Sequence, residues 1–421
     1  MAGAEVRFRF DGHDVRGFQG EPLAAALMRA GYVALARSPK YHRPRGPACF
    51  RSACDGCLAR VDGEPNVMTC RVPLRDGAVV ESQNTLGARR FDLLRAADWF
   101  FPNGMNHHEL FAGVPGVQDI MQTFARRVAG LGTMPTDVVP TKPATRESRD
   151  ALVVGGGPAG MSIANALADR GAKILVIEEG FEAGGSVLAM PTSHASAFEA
   201  TKLRFEENVA AARIELACAH VAGGIFGSDV LVVGPQGARV IEARRVILCT
   251  GAHDGVVAFE GNDLPGIVSV RAAGRLFVHD AVPAKTKIAI VITDPSCTLG
   301  EAWAIELGAR FEVNVLRGTP IAARGRSRVR GITALENGVS RKVEADLVIV
   351  DAPVSPAYEL CAHVGAELSA EPQGFVARRT REDGSIKKGF WAFGEVAGDP
   401  LDAEKLRQDA THMVTRIMEA T

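Results

Sequence analysis

The sequence predicts an α/β chain in which two nucleotide-binding-type domains follow a small α+β domain. Three observations carry this reading. From Ala151 onward, apolar strand segments alternate with helical ones, the order that builds parallel sheets covered by helices. The first of those strands runs directly into a glycine-rich turn. Ahead of it, four cysteines crowd into the loops behind a hairpin and a helix.

The elements follow in order. Val6, Phe8 and Phe10 alternate with Arg7 and Arg9, which is a strand pattern and not the apolar stretch of a secretory signal, so a cytoplasmic chain is expected. Asp11-Gly12 is a hairpin turn, because both residues accept the positive φ that a tight turn needs. Leu23, Ala26, Leu27 and Ala30 recur at helical spacing up to Gly31. Residues 91–133 read as mostly helical, and Pro135, Pro140 and Pro143 punctuate a polar linker over 135–149. Residues 151–154 form an apolar strand, a helix runs to about Arg170, and a second strand over 174–177 ends at Glu178. Residues 230–233, 239–242 and 246–248 read as an antiparallel insertion, and 286–293 as the first strand of a second βαβ unit. Residues 346–350 read as a strand returning to the first of these domains. The expected division is 1–90, a connection over 91–149, a dinucleotide-binding domain over 150–285 resumed at 346–421, and a second such domain over 286–345.

Composition excludes some partners. A formal net charge of −1 gives no bulk attraction to nucleic acid or to an anionic membrane surface. No apolar run approaches the roughly 20 residues that span a bilayer, so no membrane span is expected.

Of the eight cysteines, Cys49, Cys54, Cys57 and Cys70 fall within 22 residues. In a reducing compartment such crowding means metal or redox chemistry before it means disulfides. The spacing Cys49-x4-Cys54-x2-Cys57-x12-Cys70 follows the plant-type pattern for a 2Fe-2S cluster, with a late fourth ligand. Zinc is the rival, but zinc ribbons favour two C-x2-C pairs and only one is present. A hairpin and helix leading into these loops fit a ferredoxin-like domain. Cys218, Cys249, Cys297 and Cys361 lie scattered in apolar surroundings and read as core thiols.

Gly155-Gly156-Gly157-Pro158-Ala159-Gly160 satisfies G-x-G-x-x-G between strand and helix. Gly155 allows the tight turn, Gly157 lets backbone approach a pyrophosphate, and Gly160 lets helix pack on strand. The helix N-terminus, through Pro158 and Ala159, offers amides and a positive dipole to the phosphates. Glu178, with Glu179 beside it, stands where ribose hydroxyls are accepted, and its charge disfavours a 2′-phosphate. Gly184-Gly185, the strand ending in Thr250-Gly251, and the late Gly394-Glu395 complete a Rossmann-like, two-dinucleotide-domain flavoprotein pattern of the glutathione-reductase type. FAD is the expected occupant, with NAD or ATP as alternatives in the same site. The second unit departs from the pattern: after residues 290–292 comes Thr293-Asp294-Pro295-Ser296-Cys297-Thr298-Leu299-Gly300, which lacks the first two glycines and sets a carboxylate where phosphate would sit.

Several strings resemble the N-terminal half of the α subunit of heterotetrameric sarcosine oxidase and its iron–sulfur relatives, the opine oxidases, hydrogen cyanide synthase and dye-linked proline or hydroxyproline dehydrogenases. They are Arg37-Ser38-Pro39-Lys40-Tyr41-His42-Arg43-Pro44-Arg45-Gly46, Glu64-Pro65-Asn66, Gln83-Asn84, Asp98-Trp99-Phe100, Ala129-Gly130-Leu131-Gly132, Thr250-Gly251-Ala252-His253 and Asn262-Asp263-Leu264-Pro265-Gly266. The four cysteines draw the chain toward the iron–sulfur relatives. Asp254-Gly255 replaces the family's usual continuation after His253. The resemblance implies an electron-transfer subunit without catalytic residues of its own for the amine. It implies a catalytic amino-acid-oxidase-like flavoprotein partner (β), further small subunits, and FMN where two subunits meet.

Plainer readings stand beside these. The basic run Arg37, Lys40, His42, Arg43 and Arg45 reads either as a solvated loop or as cations near cofactor phosphates or cluster. His107 and His108 are adjacent, so a helix would point them to different faces, which fits surface roles better than a metal site. Trp99, Phe100 and Phe101 read as core or subunit interface. The alternative to a relay subunit is a self-sufficient NAD(P)H-dependent flavin and iron–sulfur reductase, which the altered loop at 293–300 disfavours. A third reading is a structural subunit holding a non-redox nucleotide.

Overall fold

The structure is a computed structural model. It describes residues 3–38, 42–83, 87–88, 91–92, 116–117, 119–120, 123, 143–255, 257–381 and 383–419. Residues 39–41, Asn84, 93–115 with Asp98–Phe101 and the two histidines, and 124–142 with the Ala129–Gly132 string lie outside them. Two compact units result, one from residues 1–138 and 256–352, the other from 139–255 and 353–421.

In the first unit, Glu5–Phe10 and His13–Phe18 form the expected antiparallel hairpin. Val6, Phe8 and Phe10 point inward, and Asp11 and Gly12 turn with φ of 48° and 80°. The strand order His13–Phe18, Glu5–Phe10, Val79–Ser82, Leu58–Val61, Glu64–Met68 makes a mixed five-stranded sheet. The helix Leu23–Arg29 buries Leu23 through Met28. Glu21, buried ahead of it, pairs with Arg29 and accepts from the Phe18 amide at 2.7 Å. Residues 91–92, expected to open a helical connection, instead pair as a short strand with 87–88.

The same unit holds a four-stranded parallel sheet in the order Ile267–Ser269, Leu347–Asp351, Lys287–Ile292, Glu312–Arg317, with helices Val270–Val278 and Leu299–Leu307. Lys287–Ile292 opens a βαβ unit as expected. Two expectations are corrected here. Residues 346–350 do not return to the first nucleotide domain; Leu347–Asp351 is an inner strand of this sheet. The domain also begins before 286, since Ile267–Ser269 is one of its strands. Both runs are buried, and an apolar parallel strand carries no mark of which sheet it joins. A three-stranded antiparallel sheet, Thr319–Gly325, Val329–Glu336 and Val339–Glu344, packs its own core against them.

In the second unit the parallel strands are ordered Ile214–Cys218, Ile174–Glu178, Thr145–Val154, Gly237–Leu248, with Phe390–Ala392 pairing beside Val246–Leu248. Residues 239–242 and 246–248 are one strand, parallel to Thr145–Val154 along its length, and only Asp229–Gly234 and Val221–Phe226 add antiparallel pairing. Residues 145–149 are likewise strand and not linker. Their polar character serves cross-strand ion pairs: Arg146 with Asp229, Glu147 with Arg239, Arg149 with Glu215. Helix Pro158–Ala168 packs between the C-terminal helix Ala403–Glu419 and helix Glu199–Ala210. Asn165, Asn208 and Arg213 tie it to the latter through a buried hydrogen-bonded chain.

Candidate functional site

The four clustered cysteines converge as two pairs. Cys49 Sγ lies 3.4 Å from Cys54 Sγ, and Cys57 Sγ lies 3.5 Å from Cys70 Sγ. Three of them are buried and Cys54 is half-buried. Phe50 and Ser52 adopt φ of 53° and 58°, a conformation that side chains resist, and the bends turn backbone amides onto the sulfurs. The Arg51 amide reaches Cys49 Sγ at 3.4 Å, and the Ser52 amide reaches Cys70. Within each pair one thiol donates to the other. That bond draws Cys54 down to about 5 and lowers Cys70, while the donors Cys49 and Cys57 are pushed up by the same bond and by burial. Among the described residues no three His, Cys, Asp or Glu side chains converge as ligands of a single ion. Two thiol pairs fit a dinuclear cluster, which takes two thiolates per iron, better than a four-coordinate zinc.

Of the basic run, Arg37 and His42 are buried and bonded to each other, Arg37 Nη1 donating to the His42 carbonyl at 3.1 Å. Arg45 pairs with Asp263. The run is therefore no free solvated loop at these positions.

In the second unit the predicted glycines meet three different demands. Gly155 has φ of 106°, and a Cβ there would stand 2.3 Å from the Cys249 carbonyl oxygen. A Cβ on Gly160 would stand 1.8 Å from the Gly155 carbonyl oxygen. A Cβ on Gly157 would meet only Gly185 Cα at 3.8 Å, so protein leaves that space open. The helix starting at Pro158 has no side-chain cap, so its first amides are left to other partners, such as a phosphate. This cradle fits a nucleotide pyrophosphate. Glu178, buried at the end of its strand, accepts from the Gly156 amide at 2.8 Å and the Gly180 amide at 2.7 Å, one on each oxygen. Glu179 beside it is half-buried.

The remaining predicted positions gather around this loop. Gly184 donates to the Gly156 carbonyl at 2.9 Å, and Gly185 (φ 52°) stands against Gly157. Thr250 Oγ1 donates to the Ala357 carbonyl at 2.7 Å, and the Ala357 amide returns a bond to the Gly251 carbonyl at 3.0 Å. Gly394 (φ 86°) lies so close to Ala159 that a Cβ on it would stand 2.5 Å from the Ala159 methyl, and Glu395 Oε2 would be 3.8 Å from a Cβ on Gly251. Sequence reading missed Asp399. Its carboxylate accepts from the Gly394 amide at 2.9 Å and pairs with Arg379, which also donates to the Ala392 carbonyl. Nothing in the local pattern marks it.

Carboxylates take up two amides of the loop at 293–300. Asp294 accepts from the Ser296 amide at 2.8 Å, and Asp351 accepts from the Gly300 amide at 2.6 Å. His253 lies at the surface against Glu359, 2.7 Å away. Of the scattered cysteines, Cys249 and Cys361 are buried but Cys218 and Cys297 are half-buried, a correction to their reading as core. Burial raises all four, Cys361 to about 12 and Cys218 and Cys297 to about 11, so none is a ready thiolate.

Residues 3–85 match the family of 2Fe-2S iron-sulfur cluster binding domains, and residues 149–291 match the pyridine nucleotide-disulphide oxidoreductase family. The α subunit of sarcosine oxidase from Rhizobium meliloti is 27% identical over 94% of this chain and 44% of its own length. Its counterpart from Corynebacterium sp. (strain P-1) is 27% identical over 87% of this chain and 36% of its own. This chain is similar in sequence to the sarcosine oxidase α subunits. It spans less than half of their length, so the likeness covers the modules and not a whole enzyme. An opine oxidase subunit from Rhizobium meliloti is 27% identical over 38% of this chain and 37% of its own. Among solved structures, L-proline dehydrogenase from P. horikoshii shares the fold over 99% of this chain and 74% of its own, with TM-score 0.74 and 20% identity. T. acidophilum thioredoxin reductase shares it over 65% of this chain and 98% of its own, with TM-score 0.52 and 16% identity. The chain thus has a two-dinucleotide-domain flavoprotein fold behind an iron–sulfur domain, and its modules are those of an oxidoreductase. Among the described residues no helix is long and apolar enough to cross a membrane.

Proposed function

We propose that this chain is the electron-transfer subunit of a heteromeric flavin-dependent dehydrogenase or oxidase whose substrate is a secondary amine or amino acid of the sarcosine, proline, hydroxyproline or opine type. Cys49, Cys54, Cys57 and Cys70 hold a 2Fe-2S cluster, Cys49 with Cys54 on one iron and Cys57 with Cys70 on the other. FAD lies along Gly155–Gly160, its ribose on Glu178. An amino-acid-oxidase-like flavoprotein partner removes the hydride equivalent, with FMN at the interface between subunits, and the assembly works in the cytoplasm.

The observation that carries this reading is the pairing of a four-thiol site with a second nucleotide unit that has closed its own phosphate loop. A bound 2Fe-2S cluster supplies one-electron chemistry, so it serves as a relay and not as a hydride acceptor. The 293–300 loop gives its Ser296 and Gly300 amides to Asp294 and Asp351, and these are amides a nicotinamide dinucleotide would need for its phosphates.

The test is iron analysis and anaerobic reduction of the purified chain. About two irons per chain are expected, and excess NADH or NADPH is expected to leave the flavin oxidised. Stoichiometric zinc without iron overturns the cluster, and rapid bleaching of the flavin by NADH favours the self-sufficient reductase.

A further inference from the structure

The loop that carries Cys49 is held by a helix more than 200 residues later in the same unit. Arg275 Nη1 donates to the Cys49 carbonyl at 2.8 Å. The Ser269 amide donates to the Ala48 carbonyl at 3.3 Å, and Ser269 Oγ caps the helix Val270–Val278 by accepting from the Ala272 amide at 3.1 Å. At the other end of that helix, Arg29 Nη2 donates to the His279 carbonyl at 2.7 Å. Gly46 is wedged in between. A Cβ on it would stand 2.2 Å from the Val33 carbonyl oxygen and 2.8 Å from Pro265 Cβ. The helix is thus pinned to the cysteine-bearing domain at both ends, and the half-buried Arg275 guanidinium bonds the carbonyl of a cysteine whose sulfur is a ligand candidate.

We infer that Arg275 is a positioning residue for the cluster: it fixes the Cys49 loop through that carbonyl, and its charge favours the reduced state. This rests on the cluster assignment proposed above. Reduction adds one negative charge to an assembly already bearing four thiolates. A cation bonded to the backbone of a ligand cysteine favours the added charge. Guanidinium keeps its charge at any working pH, so the bias is permanent. The second nucleotide-type domain then has a role without binding a nucleotide, as the seat of the cluster.

The test uses the full chain with its cluster and two variants, Arg275→Gln and Arg275→Lys. Iron content, the electron paramagnetic resonance signal of the reduced state, the midpoint potential and the thermal melt are measured for each. Arg275→Gln is expected to disfavour reduction about tenfold, a downward shift of about 59 mV for one electron, with a displaced resonance signal. Arg275→Lys is expected to keep a potential near that of the parent. Loss of iron from Arg275→Gln with an unchanged melt, while Arg275→Lys retains it, also supports the positioning role. Full iron, parental signal and parental potential in Arg275→Gln overturn it, as does unfolding of both variants, which makes the contact merely structural. If the parent chain itself lacks iron, the cluster assignment fails first. If the parent holds iron and Arg275→Gln is unchanged, only the present inference fails.

Discussion

Gly157 and Gly160 lie three residues apart in one turn and answer to different constraints. At Gly160 the protein itself forbids a side chain, because the Gly155 carbonyl oxygen stands 1.8 Å from where Cβ would go. At Gly157 the protein leaves the space open, and the backbone there (φ −76°) suits any residue. Gly160→Ala is therefore expected to cost about 1–3 kcal/mol of stability, as overpacking does. Gly157→Val is expected to melt within about 0.5 kcal/mol of the parent yet purify without nucleotide. Differential melting and nucleotide analysis of the two variants check this; normal nucleotide content in Gly157→Val removes the pyrophosphate from this loop. The glycines were legible in the sequence because their roles attach to fixed offsets in a strand–turn–helix. Asp399 and Arg275 were not, since each works on a backbone group its own neighbours do not identify. Glu178 was legible by its place at the strand end, while its bonds to two amides needed the fold.

At the scale of elements, the sequence revealed which segments are strands better than which sheet they join. Leu347–Asp351 and Ile267–Ser269 are buried apolar runs, and pairing between parallel strands leaves no periodic trace. The polar half of Thr145–Val154 misled in the opposite way, because its charges pair across strands and so imitate a linker. The strand end at Asp351 also explains the closed loop beside it. Burial raises the Asp351 carboxyl above its ordinary value, against the Gly300 amide and the nearby Arg271 that hold it down. A raised carboxyl favours the protonated form in the fold, so its contribution to stability is present at acid pH and is lost as pH rises through the raised value. Asparagine keeps an oxygen for the Gly300 amide and cannot ionise. The melting temperature of Asp351→Asn relative to the parent is thus expected to climb as pH rises from acid through the raised value. A difference that falls with pH contradicts burial as the dominant influence.

At the scale of the whole molecule, the question is where electrons enter. A 2Fe-2S cluster accepts one electron at a time, whereas oxidation of an amine removes a hydride equivalent, so a flavin must receive the pair before it is divided. The unit that would take hydride from a nicotinamide has filled its phosphate loop with Asp294 and Asp351. The ion pair of His253 with Glu359 sits at the surface, where it cannot exclude water from a substrate. The groups that are organised in this chain suit cofactors: four paired thiols in one unit, and a phosphate cradle with a ribose acid in the other. On the relay reading, electrons therefore enter from a partner's flavin. The isolated chain is expected to give no dye reduction with sarcosine, proline, hydroxyproline or an opine, and the complex with its flavoprotein partner is expected to turn over at least one of them. In that complex, Cys57→Ser should slow transfer to a one-electron dye while leaving reduction of the partner's flavin by the amine intact. Stopped-flow spectra separate the two steps. Dye reduction by the isolated chain at the rate of the complex would place the amine chemistry here and end the relay assignment.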